Sequence, residues 1–256
     1  MSCDSVKPIF FQRQPHLPIP VQHFLRTRLE AALEDPNERA LLVWPTVLGA
    51  PRLRKEYPGG LPEPVLFAHA AKMLQTVGQD DPEASWRDAT ARFPDTAEQG
   101  DTGFRPHGAW GAFGPLVSLR SGIALSALTE LPSDESYALK AGLVLFNSAL
   151  YHEAHDALES LWRDAAGDLR EGLQGLILMT AGYHHLQLHN RRGMKAVWRD
   201  SAQRLEKFGG LLDTPWGRVD HREAVASTRQ RAAWLELGQK GFESLWAPPA
   251  PRWELS

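Results

Sequence analysis

Cysteine is almost absent from this chain, since Cys3 is the single one among 256 residues. One thiol cannot form a disulfide within the chain, and it cannot build the thiolate cluster of a structural metal site. Sparse cysteine is also typical of reducing compartments. We therefore expect a cytoplasmic protein.

Long apolar runs are also missing. The longest ones, such as residues 40–44 and 176–179, are far shorter than the roughly 18 residues that a membrane-spanning helix needs. Near the N-terminus, Asp4 and several prolines interrupt the apolar stretch of about 7 to 15 residues that a signal peptide requires. We expect neither a membrane segment nor a secretion signal.

The chain has no strong excess of charge of one sign, because its formal net charge is -3 and its isoelectric point is near 6.4. Non-specific binding of nucleic acid depends on many Lys and Arg contacts to phosphate. A protein partner or a small ligand is therefore expected in preference to nucleic acid. Apolar residues make up 43% of the chain, which is ordinary for a protein with a packed core.

Apolar residues recur at helical spacing along most of the chain, which predicts an all-α, multi-helix bundle. Residues 40–49 have the length of a strand, but Pro45 would remove a hydrogen-bond donor from a sheet and favours a short buried helix or an irregular core segment. A glycine-rich stretch at 95–114 has no period and marks the best boundary. We accordingly divide the chain into a mostly helical N-terminal extension (1–112), a domain of antiparallel helices (113–240) and a loosely held, proline-rich tail (241–256).

Five of the ten histidines fall between residues 152 and 189. His155 and Glu159 are four residues apart, so they are neighbours at the edge of the buried stripe of one helix. Glu153 and Asp156 are expected to point more outward. The next helix starts near Asp168, where Asp168 and Glu171 have the spacing of a capping box. If these two helices pack antiparallel, His184 or His185 approaches His155 and Glu159.

Two interpretations of this cluster are open. The first is a structural hydrogen-bond network inside the bundle, which is the more common role of a histidine on an apolar face. The second is a divalent-metal or acid/base site, with His155, Glu159 and His184 as candidate ligands or catalytic groups. The residues of the expected polar network are Glu153, His155, Asp156, Glu159, Gln174 and His184.

A basic face follows on the helix after Asn190. Its positive side chains could bind an anion or an acidic partner, although a solvated helix face is the more common reason for such a pattern. They are Arg191, Arg192, Lys195 and Arg199.

From about Leu145 to Phe208 the chain resembles the family called domain of unknown function 309. The resemblance rests on LFNSALYHEAHDALESLW, on LQGLILMTAGYHHL and on the NRRG step into the next helix. The family pattern falls on Tyr151, Glu153, His155, Asp156, Leu158, Glu159 and Trp162, and Gln174 and His184 match its second helix. Ala149 departs from it, because the family often has glycine there. The resemblance implies an all-α domain and no particular activity.

Three functions are carried forward, the third being nucleic-acid binding through the basic face from Arg191 to Arg199. The first is a non-enzymatic helical binding or interaction module, in which the His/Glu network fixes the packing of two helices. The alternative is a metal-dependent hydrolase or small-ligand enzyme that uses the same cluster and needs a water-accessible pocket.

Overall fold

In a computed structural model of the protein, the described residues are 15–237, 245 and 252–255. Helices dominate this part of the chain, and its strands form two small sheets, so the all-α prediction is confirmed. None of the described helices is long and apolar enough to cross a membrane. The chain divides into two compact units, one of residues 17–131 and one that contains the described residues from 132 onward.

The unit of residues 17–131 is built from short helices and one hairpin. Its α-helices are α1 (Ile19–Glu34), α2 (Val43–Leu48), α3 (Pro51–Glu56), α4 (Glu63–Thr76), α5 (Pro82–Arg92), α6 (Gly108–Gly111) and α7 (Gly114–Thr129). Two 3₁₀ helices cover Pro36–Leu42 and Pro94–Thr96. Strands β1 (Ala97–Gln99) and β2 (Phe104–Pro106) pair antiparallel.

Two ambiguous segments of the sequence take a clear form in this unit. Residues 40–49 form the end of a 3₁₀ helix and the buried helix α2, which includes Pro45. The glycine-rich stretch forms the β1–β2 hairpin and α6 instead of an irregular linker. The expected boundary at residue 112 therefore falls inside a compact unit, because α7 packs against α2.

Aromatic rings and a buried arginine contribute to the packing of this unit. Trp44 is fully buried and packs edge-on against Trp86, with ring centroids 5.0 Å apart. The guanidinium of Arg28 is buried and donates to Asp95 at 2.7 Å and to Thr96 at 2.9 Å. Burial lowers the pKa of Arg28, and these hydrogen bonds offset part of the desolvation cost.

The second unit contains the helices that the sequence predicted as a bundle. They are α8 (Tyr137–Asn147), α9 (Tyr151–Asp164), α10 (Gly167–Gln187), α11 (Arg191–Glu206) and α12 (Arg222–Glu236). Three strands that the sequence did not predict, β3 (Leu211–Thr214), β4 (Gly217–Asp220) and β5 (Glu254–Leu255), form an antiparallel sheet in the order β3–β4–β5.

Helix α10 lies between α9 and α11 and contacts both along their lengths. Small residues on α10 permit the close approach of α11. A Cβ on Gly175 would lie 2.7 Å from Leu205 Cγ, and a Cβ on Gly182 would overlap the indole of the fully buried Trp198. These glycines are therefore required by packing, despite their cost to helix propensity.

The predicted capping box at the start of α10 is wrong. The helix begins at Gly167, and its N-cap residue Ala166 has no side-chain cap hydrogen bond. Glu171 instead accepts two hydrogen bonds from Arg204 Nη1, at 3.0 and 2.8 Å. A cross-helix ion pair with α11 thus replaces the local contact that the spacing suggested.

The turn between α8 and α9 contains an alanine in the left-handed region. Ala149 has φ of 59°, a conformation that favours glycine. Its carbonyl accepts a hydrogen bond of 2.8 Å from Gln187 Nε2, which ties the turn to the end of α10. Glycine would adopt this conformation with less strain.

Part of the predicted C-terminal tail is held against the helices. Trp253 is buried and stacks on Phe146, with ring centroids 3.9 Å apart and planes 6° from parallel. Asn147 donates to the carbonyl of Trp253 and accepts from its amide, at 2.9 and 3.0 Å. Residues 252–255 are thus not loosely held, while 241–244 and 246–251 lie outside the described residues.

Candidate metal centre

Four titratable side chains share one face of α9. His152, His155, Asp156 and Glu159 stand at positions i, i+3, i+4 and i+7, which places them within an arc of about 100°. The helix forms here because its other faces carry apolar residues that pack on α8 and α10. The local period of the helix is therefore enough to align the four side chains.

The distances within this group are short. His155 Nδ1 lies 3.5 Å from Asp156 Oδ1, and His152 Nδ1 lies 3.6 Å from Asp156 Oδ2. One ligand atom each from His155, Asp156 and Glu159 can be chosen so that all three lie within 4.8 Å of one another. We call these three residues the α9 triad.

The α9 triad is partly accessible to solvent. The side chains of His155 and Glu159 are 30% and 33% exposed, whereas that of Asp156 is 6% exposed. Glu153 is also buried, so the expectation that Glu153 and Asp156 point outward is wrong. Both are buried because α9 has neighbouring helices on two sides, and over residues 151–159 only His152, His155 and Glu159 stay partly uncovered.

One nitrogen of the triad, Nδ1 of His155, has no hydrogen-bond partner among the described residues. This atom is buried, and Asp156 lies at the limit of hydrogen-bond distance from it. A buried nitrogen of this kind costs free energy unless something satisfies it. At the far end of the strip, Arg163 Nη2 lies 3.7 Å from Glu159 Oε2, in an exposed and therefore weak ion pair.

The antiparallel neighbour α10 adds one further histidine. The rings of His184 and His152 have centroids 5.1 Å apart, so His184 lies beside the strip through His152. Gln174 is ten residues earlier on α10 and thus about 15 Å from His184 along the helix axis. The structure accordingly brings His184 close to the α9 face and separates Gln174 from His184.

His152 is the site residue that the sequence-based candidate set left out. Its i,i+4 spacing from Asp156 was the available signal, because this spacing makes two side chains neighbours on any helix. His152 and Asp156 therefore form a second i,i+4 pair on the same face as His155 and Glu159.

His185 belongs to the junction of α10 with α11. Its Nδ1 lies 3.3 Å from Asn190 Nδ2, and a Cβ on Gly193 would lie 2.5 Å from its ring carbon Cδ2. Burial at this junction lowers the pKa of His185. The neutral form is therefore favoured in the folded protein.

The basic face on α11 is exposed as a whole. Arg191, Arg192, Lys195 and Arg199 fall within about 100° around the helix, and each is solvent-exposed. This arrangement agrees with a solvated face and leaves anion binding as a prediction.

Comparison with known proteins supports the family resemblance. The family model described as domain of unknown function (DUF309) matches residues 139–197, which run from α8 into α11 and include the whole α9 triad. No curated protein and no solved structure matches the chain.

Proposed function

We propose that the unit after residue 131 is a metal-binding module, in which the α9 triad holds a divalent transition-metal ion. One observation carries the proposal: an imidazole and two carboxylates lie within 4.8 Å of one another on one helix face. The buried, unbonded Nδ1 of His155 supports it, because a metal ion would satisfy that atom.

The spacing is close to that of a first coordination shell. With metal–ligand bonds of about 2.1 Å, neighbouring ligand atoms of a tetrahedral site are about 3.4 Å apart. His155 Nδ1 and Asp156 Oδ1 are 3.5 Å apart, and the widest separation in the triad is 4.8 Å or less. Side-chain movements of about 1 Å would close the set. Imidazole with carboxylate suits Zn²⁺, Fe²⁺ or Mn²⁺ better than Ca²⁺, which takes oxygen ligands.

A binding module whose cluster only fixes helix packing is supported less well. Such a network needs its members sealed from water and paired with one another. Here His155 and Glu159 are each about one-third exposed, and the imidazole of His155 makes no hydrogen bond through Nδ1 to any described residue. The binding-module hypothesis is therefore kept, with a metal ion as its ligand.

Metal-dependent hydrolysis is the second candidate, and the exposure of the triad favours it. A catalytic metal keeps one position open for water, and three protein ligands at a half-open site leave such a position. His184, beside His152 on the neighbouring helix, would then be the candidate for general acid or base. His155 and Glu159 would act as ligands in this scheme.

The test is metal content and metal affinity of protein purified without an affinity tag. We expect close to one equivalent of zinc, iron or manganese by elemental analysis, or saturable binding of Zn²⁺ to the metal-free protein by calorimetry. Glu159→Gln should lower the affinity at least about tenfold, because the amide is a much poorer ligand than the carboxylate. Asp164→Asn is the matched control, since Asp164 is an exposed acid on α9 outside the triad.

Equal affinity for Zn²⁺ in the wild type and in Glu159→Gln would contradict the assignment of the triad. Absence of saturable binding by Zn²⁺, Mn²⁺ and Fe²⁺ would contradict the metal-binding function altogether.

A further inference from the structure

The unit of residues 17–131 contains a cavity that the metal site does not involve. It has a volume of about 460 Å³, which falls within the usual range for small-molecule sites. Helix α3, strand β2 and the start of α7 form its walls. The lining side chains that carry charge are Arg54, Lys55 and Arg105, and none of the lining residues is acidic.

Two of these cations lack a compensating acid. Arg105 Nε pairs with Glu98 Oε1 at 2.8 Å, outside the lining. For Arg54 and Lys55, by contrast, no carboxylate of the described residues lies within ion-pair distance. Glu56 is the adjacent acid, and it interacts with the hydroxyl of Tyr57, whose pKa it raises. Two positive charges thus line the cavity without an acidic partner among the residues that the structure describes.

The start of α7 adds to the positive potential. This 16-residue helix begins at Gly114, has no side-chain cap, and contributes Pro115 to the cavity wall. The guanidinium of Arg54 lies against Gly114, where a Cβ would overlap it. The N-terminus of a helix carries a partial positive charge, which attracts anions and repels the guanidinium of Arg54. An anion bound between them would interact favourably with both.

Apolar residues also line part of the cavity. Pro51, Pro58, Pro106 and Leu61 line the cavity together with the ring of Tyr57. Prolines present apolar surface without losing side-chain entropy on binding. Such walls suit a flat or compact organic group, and the cations suit a negatively charged head.

We propose that this cavity binds a small organic anion, with a phosphate monoester or carboxylate head on Arg54 and Lys55 and an apolar body against the proline and tyrosine walls. Arg54 provides a planar fork that matches either head group, and Lys55 adds a point charge. The site is independent of the metal centre.

The test uses the full-length, metal-free protein with phenyl phosphate, benzoate and phenol as probes in isothermal titration calorimetry. Saturable binding of phenyl phosphate or benzoate is expected, with phenol much weaker, and the tighter of the two anions identifies the head group. Arg54→Gln and Lys55→Gln should each weaken binding at least about fivefold. Arg52→Gln, an exposed change on the same helix outside the lining, should leave it unchanged.

Three results would overturn the proposal. They are the absence of saturable binding by both anions, equal binding of phenol, and equal effects of all three α3 substitutions. Because Arg54 packs on Gly114, the folding of Arg54→Gln is checked by circular dichroism. If that variant is misfolded, the effect of Lys55→Gln decides, because Lys55 is exposed. A loss of binding in His155→Ala would place the anion at the α9 triad and would also overturn the cavity assignment.

Discussion

Replacing His155 by alanine should have opposite consequences in the absence and in the presence of metal. Without metal, the variant loses a side chain that is 30% exposed and whose Nδ1 makes no hydrogen bond to a described residue. The substitution takes no hydrogen bond away from its neighbours, since His155 Nδ1 lies 3.5 Å from Asp156 Oδ1 and Glu159 is instead close to Arg163 Nη2, at 3.7 Å. No buried charge is stranded, so the free energy of unfolding should fall by less than about 1 kcal/mol.

With metal, the difference should be much larger. A ligand at a free concentration of 100 times its Kd stabilises the folded state by about 2.7 kcal/mol. For a unit of this size that gain corresponds to a rise in Tm of about 10 to 12 °C. His155→Ala should abolish most of this rise, because it removes the single nitrogen ligand of the α9 triad.

Differential scanning calorimetry in EDTA and in excess Zn²⁺ measures both effects. Calorimetry can record separate unfolding transitions for the two compact units, whereas a single spectroscopic signal would average over both. His69→Ala is the control, because His69 is exposed on α4 in the other unit. A cost above about 2 kcal/mol in EDTA, with no effect of metal on the wild type, would refute the reasoning and support a structural network.

Three further predictions test the architecture around the site. Gly182→Ala should destabilise the protein by more than about 2 kcal/mol in urea unfolding, because the new Cβ overlaps the buried Trp198; an unchanged midpoint would contradict the close α10–α11 packing. Ala149→Gly should stabilise by up to about 1 kcal/mol, since φ of 59° suits glycine, and a loss of stability would argue against this turn. The wild-type free energy of unfolding should decrease as pH falls through about 6.5, because the unfolded chain takes up a proton that half-buried His185 resists in the folded state. This component should vanish in His185→Gln, so an identical pH slope in that variant would count against the burial of the ring.

Most of the helical architecture and part of the candidate site could be predicted from the sequence. The predominance of helices follows from apolar spacing along the chain. The neighbourhood of His155 and Glu159 follows from the helix period alone, because residues four apart always lie on one face. The same rule applied to His152 and Asp156, although that pair was not selected. What these cases share is that they depend only on residues one or two turns apart.

Tertiary structure decided which of these side chains are buried, which ones meet, and which strands pair. Asp156 became buried because α8 and α10 cover two sides of α9, and no property of α9 itself states which faces will be covered. His184 contacts His152 only because α9 and α10 pack antiparallel, and β5 pairs with β4 although more than 30 residues separate them in sequence. The cavity around Arg54 likewise joins α3, β2 and α7, which are far apart in sequence. Local periodicity reflects interactions between residues that are close in sequence, whereas burial and long-range contacts depend on the packing of whole helices and strands. This packing turns a helical stripe of histidines and acids into a candidate metal centre.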